Sequence, residues 1–239
     1  MSGSVVRSLI LKDWRLHRTS VLVTAAGGTI ALGIIQLRGE TAFMIGTIWF
    51  FVSLICLGCM LPVSNVINER KKQSVVFLMS LPVSALQYGI SKMISTVGIF
   101  LISWGAMVIA GASLVLSRHD VPNGIVPVML ILFGLPLIGF SLIAGAALVS
   151  ESEGWTIAAT VACNSSYGLI WYFIIRNPAI NGDLKSPVPV WSSPVVTILG
   201  GEAAAFALIL GLTFRSALHD AAGESHVDGF SAHRLDRAE

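Results

Sequence analysis

The stretch Ile125-Val-Pro-Val-Met-Leu-Ile-Leu-Phe-Gly-Leu-Pro-Leu-Ile-Gly-Phe-Ser-Leu-Ile-Ala-Gly-Ala-Ala-Leu-Val149 contains no charged residue, and Ser141 is its only polar side chain. Coiled as an α-helix at about 1.5 Å per residue, it is long enough to cross the roughly 30 Å hydrocarbon core of a bilayer. Water cannot serve backbone amides and carbonyls in that core, so a segment apolar on every side reads as a spanning helix that closes its own hydrogen bonds.

Five other stretches share this character: about Thr19 to Leu37, Ala42 to Val63, Met93 to Leu116, Trp155 to Ile175 and Pro194 to Phe214. Only the last holds a charged residue, Glu202. A transmembrane β-barrel would instead show segments of about ten residues alternating in polarity. The composition agrees with spanning helices. The 239 residues are 54% hydrophobic and 12% charged, against about 25% charged in an ordinary soluble domain, too little charge to coat a water-soluble globule. The expected fold is all-α: a polytopic membrane protein whose single six-span domain covers residues 1–218. A polar tail, 219–239, rich in small and charged residues, is expected to be disordered. Cys56, Cys59 and Cys163 all lie inside apolar segments and read as packed thiols. A net charge of +2 gives no reason to expect nucleic-acid binding.

Charge asymmetry orients the spans. Six crossings place the N-terminus, the loop Ser64 to Lys92, the turn Ser150 to Gly154 and the tail on one side. That side holds Arg7, Lys12, Arg15, Arg18, Arg70, Lys71, Lys72, Lys92, Arg215, Arg234 and Arg237, leaving Arg38, Arg118, Arg176 and Lys185 for the other. Positive charge marks the cytoplasmic side, so both termini are expected there. The basic N-terminus lacks a short apolar stretch with a cleavage site, and is expected to be retained.

Two segments outside the spans carry patterns of their own. As a helix, Val5 to Arg18 places Val6, Leu9, Ile10 and Trp14 on one arc and Arg7, Lys12, Arg15 and Arg18 on the other, with Asp13 intruding on the apolar arc. That amphipathicity predicts a helix lying in the membrane interface, its cations toward lipid phosphates; the bland alternative is a basic topogenic tail. The second segment, Asn68-Glu-Arg-Lys-Lys-Gln-Ser-Val-Val-Phe-Leu-Met-Ser-Leu-Pro-Val-Ser84, opens charged, turns apolar over Val75 to Met79 and stops near Pro82. Ser84 and Gln87 then have capping-box spacing for a new helix leading through Lys92 into the third span. The reading is a short amphipathic helix, a break and a helix start, which suits a docking element more than a plain linker. The external loop Arg176 to Ser193, with Pro178, Pro187 and Pro189, argues against a regular helix there.

Catalytic chemistry is poorly provided for. His17, His119, His219, His226 and His233 all lie outside the six stretches, so no intramembrane Ser/His pair is available, and no His-Glu-x-x-His motif occurs. The chain also lacks a Walker A phosphate loop. Any ATP-driven transport requires the ATPase on another chain.

The run Asn68-Glu69-Arg70, followed by Ser74, Leu78, Ser80-Leu81-Pro82-Val83-Ser84 and Lys92, resembles the cytoplasmic loop of ABC-2 type exporter permeases. Lys12-Asp-Trp-Arg15 with Arg18 resembles that family's amphipathic N-terminal helix, and the six-span plan is similar throughout. Gln73 departs from the common pattern, in which a glycine often follows the Glu-Arg pair, and the last external loop is short. The resemblance implies a coupling helix between spans 2 and 3 that fits a cleft on a separate nucleotide-binding subunit. Glu69 and Arg70 would supply charge-assisted contacts or internal fixing, and Ser74, Val75, Phe77, Leu78, Leu81 and Pro82 the body and stop of that element. From composition alone, the charged run at residues 69–72 fits a solvated, lipid-facing patch equally well.

Inside the spans, Glu202 is the costly residue, because an ionisable group at that depth needs protein or water to face. Asn164, Ser165, Ser166 and Tyr167 form a polar cluster near the middle of the fifth span, suited either to a pathway or to hydrogen bonding between helices. Gly200, Ala203, Ala204, Ala207 and Gly211 form a small-residue face suited to close packing or subunit contact. Glu202 is expected to face the bundle interior or a dimer interface, with Asn164 or Ser165 as partners. The resulting expectation is a permease subunit in a bacterial cytoplasmic membrane, paired with a second permease and with a separate ATPase that carries the ATP and Mg. No cofactor is expected on this chain. The alternatives are a membrane-embedded interaction or sensor protein and an ion-coupled secondary transporter using Glu202.

Overall fold

The computed structural model describes residues 3–37, 39–64, 85–118, 120–150 and 152–235, with side chains over 11–37, 39–64, 90–118, 120–150 and 152–216. The described residues form helices α1 (Gly3–Gln36), α2 (Glu40–Pro62), α3 (Ala85–Leu116), α4 (Ile125–Val149) and α5 (Glu153–Arg176). A single-turn α6 (Pro178–Asn181), a 3-10 turn (Gly182–Lys185) and α7 (Ser193–Leu235) complete them. Six helices, all but α6, are long and apolar enough to cross a membrane.

The segment apolar all round takes the centre. α4 packs against α2, α3, α5 and α7, and 67% of its most apolar stretch is buried. Pro136 lies inside it and cannot donate to the carbonyl one turn back. Close by, the Trp104 indole on α3 donates to the Phe133 carbonyl at 2.9 Å. Aromatic rings tie the neighbours on: Phe100 of α3 stacks on Phe140 with centroids 3.9 Å apart, and Phe50 of α2 meets Phe133 at 5.1 Å.

α1 and α2 form a tight antiparallel pair. Gly39 turns the chain between them at φ 117°, a region that disfavours any residue with a Cβ. At Gly46 an added Cβ would sit 2.8 Å from the Ile35 backbone nitrogen, so only glycine permits this approach. The Arg118 guanidinium donates to the Ile35 carbonyl, one of the orphan acceptors that end α1, and pairs with Asp120. That carboxylate holds Arg118 charged even more firmly than usual.

Several expectations change. No break separates residues 5–18 from the first span: α1 is one helix, and its apolar stretch begins at Leu11. Nothing in the sequence between Leu11 and Thr19 interrupts a helix, because glycine and proline are both absent there. At the other end of the chain, α7 runs on to Leu235. In the Pro-rich loop a short helix does form, with Pro178 in its first turn and the Asn177 side chain accepting from the Ala179 amide at 3.1 Å. α3 starts at Ala85, the residue after the expected Ser84 cap.

Candidate functional site

At the bundle end where α2 finishes and α3 starts, α1 turns two ionisable residues inward. Asp13 and His17 are one helical turn apart, so they share a face, and both are buried, at 2% and 3% exposure. Lys92 Nζ of α3 donates to Asp13 Oδ1 at 2.8 Å, and Ser95 Oγ donates to Asp13 Oδ2 at 2.7 Å. His17 Nδ1 lies 3.3 Å from Ser64 Oγ, just past the end of α2. His17 Nε2 is buried with no hydrogen-bond partner among the described residues. The two chain ends that bracket residues 65–84 are thus both joined to one face of α1. Burial of a charged pair requires good geometry and further hydrogen bonds, which the Ser95 hydroxyl supplies.

Lys12, Trp14, Arg15 and Arg18, the residues expected on an interfacial helix, are exposed on the rest of this turn of α1. The sequence reading marked Asp13 as a flaw in the amphipathic pattern. The flaw is the inward-facing residue, and its partner Lys92 stands near the start of an apolar span, where an unpaired cation would be costly. A charge on the wrong arc, matched by an opposite charge at another span's end, was the available signal. Glu69, Arg70, Ser74, Val75, Phe77, Leu78, Leu81 and Pro82 lie outside the described residues.

The second site is the surface of α4. Three of its glycines act as notches for polar side chains of the two outer helices. A Cβ at Gly134 would overlap the Glu202 carboxylate of α7, one at Gly139 would overlap the Tyr167 hydroxyl of α5, and one at Gly145 would stand 2.7 Å from Thr213 Oγ1 of α7. Gly134 and Gly145 have the same separation as Glu202 and Thr213, so α4 and α7 run parallel and in register over about three turns. Tyr167 also meets Phe51 edge-on at 5.8 Å. Glu202 is buried at 7% exposure, and neither carboxylate oxygen has a hydrogen-bond partner among the described residues.

The expected partners of Glu202 are elsewhere. Asn164 and Ser165 are exposed on the outer side of α5; the Asn164 amide donates to its own helix at the Thr160 carbonyl, 2.9 Å, and approaches Cys59 Sγ of α2 at 3.8 Å. The reason is rotational: Cys163 and Tyr167 occupy the narrow seam by which α5 meets α4, so residues beside them on the helix turn away. The small-residue face of α7, Gly200, Ala203, Ala204, Ala207 and Gly211, is likewise exposed. Sequence reasoning missed Thr213, whose spacing from Glu202 follows the seam.

Comparison with curated proteins and with solved structures gave no match. Residues 8–186 match the family model described as ABC-2 family transporter protein. That span takes in α1 from its first turns to the end of α5, the segment between α2 and α3, and both buried sites on the inner faces except their α7 members. With most of its length matched and six helices able to span a bilayer, the chain belongs to the ABC-2 family of membrane transporter proteins.

Proposed function

We propose that this chain is the membrane-spanning subunit of an ATP-driven exporter, coupled through residues 68–92 to a separate ATPase subunit. The observation that carries the reading is the family match, which encloses the whole of that segment together with the helices on either side. Its charged head, apolar body and proline stop suit a docking element. The ATP and Mg belong to the partner; the sequence of this chain has no phosphate loop to hold them. The cation bias supports a cytoplasmic position for this segment and both termini; on this reading the membrane is a bacterial cytoplasmic one.

A second permease copy or a related chain packs against the outer side of α5 and α7. Only 17% and 11% of their most apolar stretches are buried within the chain, and Ser165 and the edge of Asn164 are exposed at mid-span, where the Asn164 amide already donates to Thr160 and approaches Cys59. Lipid offers such polar groups no hydrogen bond, whereas a second helix does, and the small residues of α7 permit its close approach. Closure of the ATPase pair would push on the two coupling segments and shift the paired bundles between inward-open and outward-open packings.

The test is Glu69→Ala with Arg70→Ala in the intact complex, reading ATPase co-purification, ATP hydrolysis and export together. Weakened association, or hydrolysis that no longer drives export, in a normally inserted protein is the expected result. Normal export with a retained ATPase would make this segment a solvated linker.

A further inference from the structure

The inference rests on the coupling reading of residues 68–92 and adds a positioning device to it. We propose that Asp13, with Lys92, Ser95, His17 and Ser64, locks both ends of the coupling segment to α1, making α1 the lever through which that segment's displacement reaches the transmembrane bundle.

Ser64 is the last described residue before the segment, Lys92 is the segment's final residue and Ser95 follows three residues later, both within the first three turns of α3. Two separate chain ends normally move independently of one another. Here each is bonded to the same rigid helix one turn apart: Asp13 takes Lys92 at 2.8 Å and Ser95 at 2.7 Å, and His17 meets Ser64 at 3.3 Å. Asp13 and Lys92 are both nearly fully enclosed, at 2% and 5% side-chain exposure, so water does not compete for the bond. In a low-dielectric setting such a pair is short, directional and expensive to separate, the properties required for carrying a push without slip. An apolar contact at this place would let the helices slide, because dispersion forces have little directional preference.

The lever then acts at a distance. α1 packs along α2 and α3 and runs without interruption to Gln36 at the opposite end of the bundle. There Arg118, between α3 and α4, donates to the Ile35 carbonyl of α1. A tilt imposed at Asp13 is therefore delivered by one continuous helix to the loop before the central helix α4. The clamp is a positioning element and touches neither cargo nor nucleotide.

The experiment uses the full permease–ATPase complex and replaces the ion pair with apolar side chains of similar volume, Asp13→Leu with Lys92→Met, so that no buried charge is stranded. The readouts are ATPase co-purification and export per ATP hydrolysed. The expected result is a complex of normal stoichiometry whose export per ATP falls at least fivefold. Unchanged export per ATP overturns the proposal, and so does loss of the ATPase from the complex, which would make the pair part of docking. Should the apolar pair fail to insert, Asp13→Lys with Lys92→Asp keeps a pair in place. Export per ATP within threefold of the parent supports the lever, and a larger loss in an assembled complex overturns it. The Glu69→Ala, Arg70→Ala variant separates the two ideas. If it is uncoupled while the clamp variants are normal, only the lever fails; if it is normal, the coupling reading fails and the lever with it.

Discussion

Asp13 and Lys92, seventy-nine residues apart in sequence, meet in a buried ion pair 2.8 Å long that joins the first spanning helix to the third. Removing one partner strands the other in a low-dielectric site, so Asp13→Ala or Lys92→Ala should each destabilise the protein by about 3–5 kcal/mol. Asp13→Leu combined with Lys92→Met should recover most of that loss. Thermal unfolding of the detergent-solubilised protein measures it, with Asp13→Leu and Lys92→Met made singly and together to complete a double-mutant cycle. Additive losses would show that the two groups do not interact as a pair.

The glycine notches of α4 predict two rescues. Gly134→Ala drives a Cβ into the Glu202 carboxylate, and Gly139→Ala drives one into the Tyr167 hydroxyl. Overpacking of this kind costs about 1–3 kcal/mol. Glu202→Ala should relieve the first substitution and leave the second unrelieved, and Tyr167→Phe should do the reverse. Melting temperatures of the four single, two matched and two crossed double variants test the pairing, and failure of each matched rescue would remove these contacts from the packing scheme.

Glu202 is seated in a notch without a hydrogen-bond partner among the described residues, an arrangement that a merely cohesive contact does not need. Glu202→Gln preserves its shape and removes its ability to ionise. Export through a normally assembled complex should therefore fall at least tenfold. Export at the parental rate by Gln, with assembly disturbed by Leu, would assign the residue to packing alone.

Orientation is open to direct chemistry. In a background lacking Cys56, Cys59 and Cys163, single cysteines at Arg15, Lys71, Ser152 and Ser231 should resist a membrane-impermeant thiol reagent applied to intact cells. Cysteines at Gly39, Asn123 and Asn181 should react. Labelling at Lys71 from outside would invert the topology drawn from the cation count.

Much of the architecture was legible in the amino-acid order because the bilayer imposes a length and a polarity on each span. The apolar runs of Ile125 to Val149 and its five counterparts predicted every spanning helix, with ends that agree within a few residues except in α1. There the sequence reading began the span at Thr19 and took the cation-bearing residues 5–18 as a separate helix in the membrane interface. The helix continues through them, since side-chain charge on one face does not interrupt backbone hydrogen bonding.

Glu202 was recognisable as a costly residue from composition alone, since no other charge falls within the six apolar runs. Its neighbour was not, because Gly134 bears no side chain to advertise a contact, and the notch exists only once α4 and α7 are parallel and in register. Asn164 and Ser165 looked like its partners because they are polar and lie near the middle of the preceding span. A rotation of about 100° per residue turned them outward while Tyr167 turned in. Sequence determined the six helices, their polarity and the family, all properties carried by single segments or short motifs. The tertiary structure alone decided which of those charges and hydroxyls face one another, because the Asp13–Lys92 pair and the Glu202–Gly134 seat depend on the relative rotation of helices that local sequence does not encode.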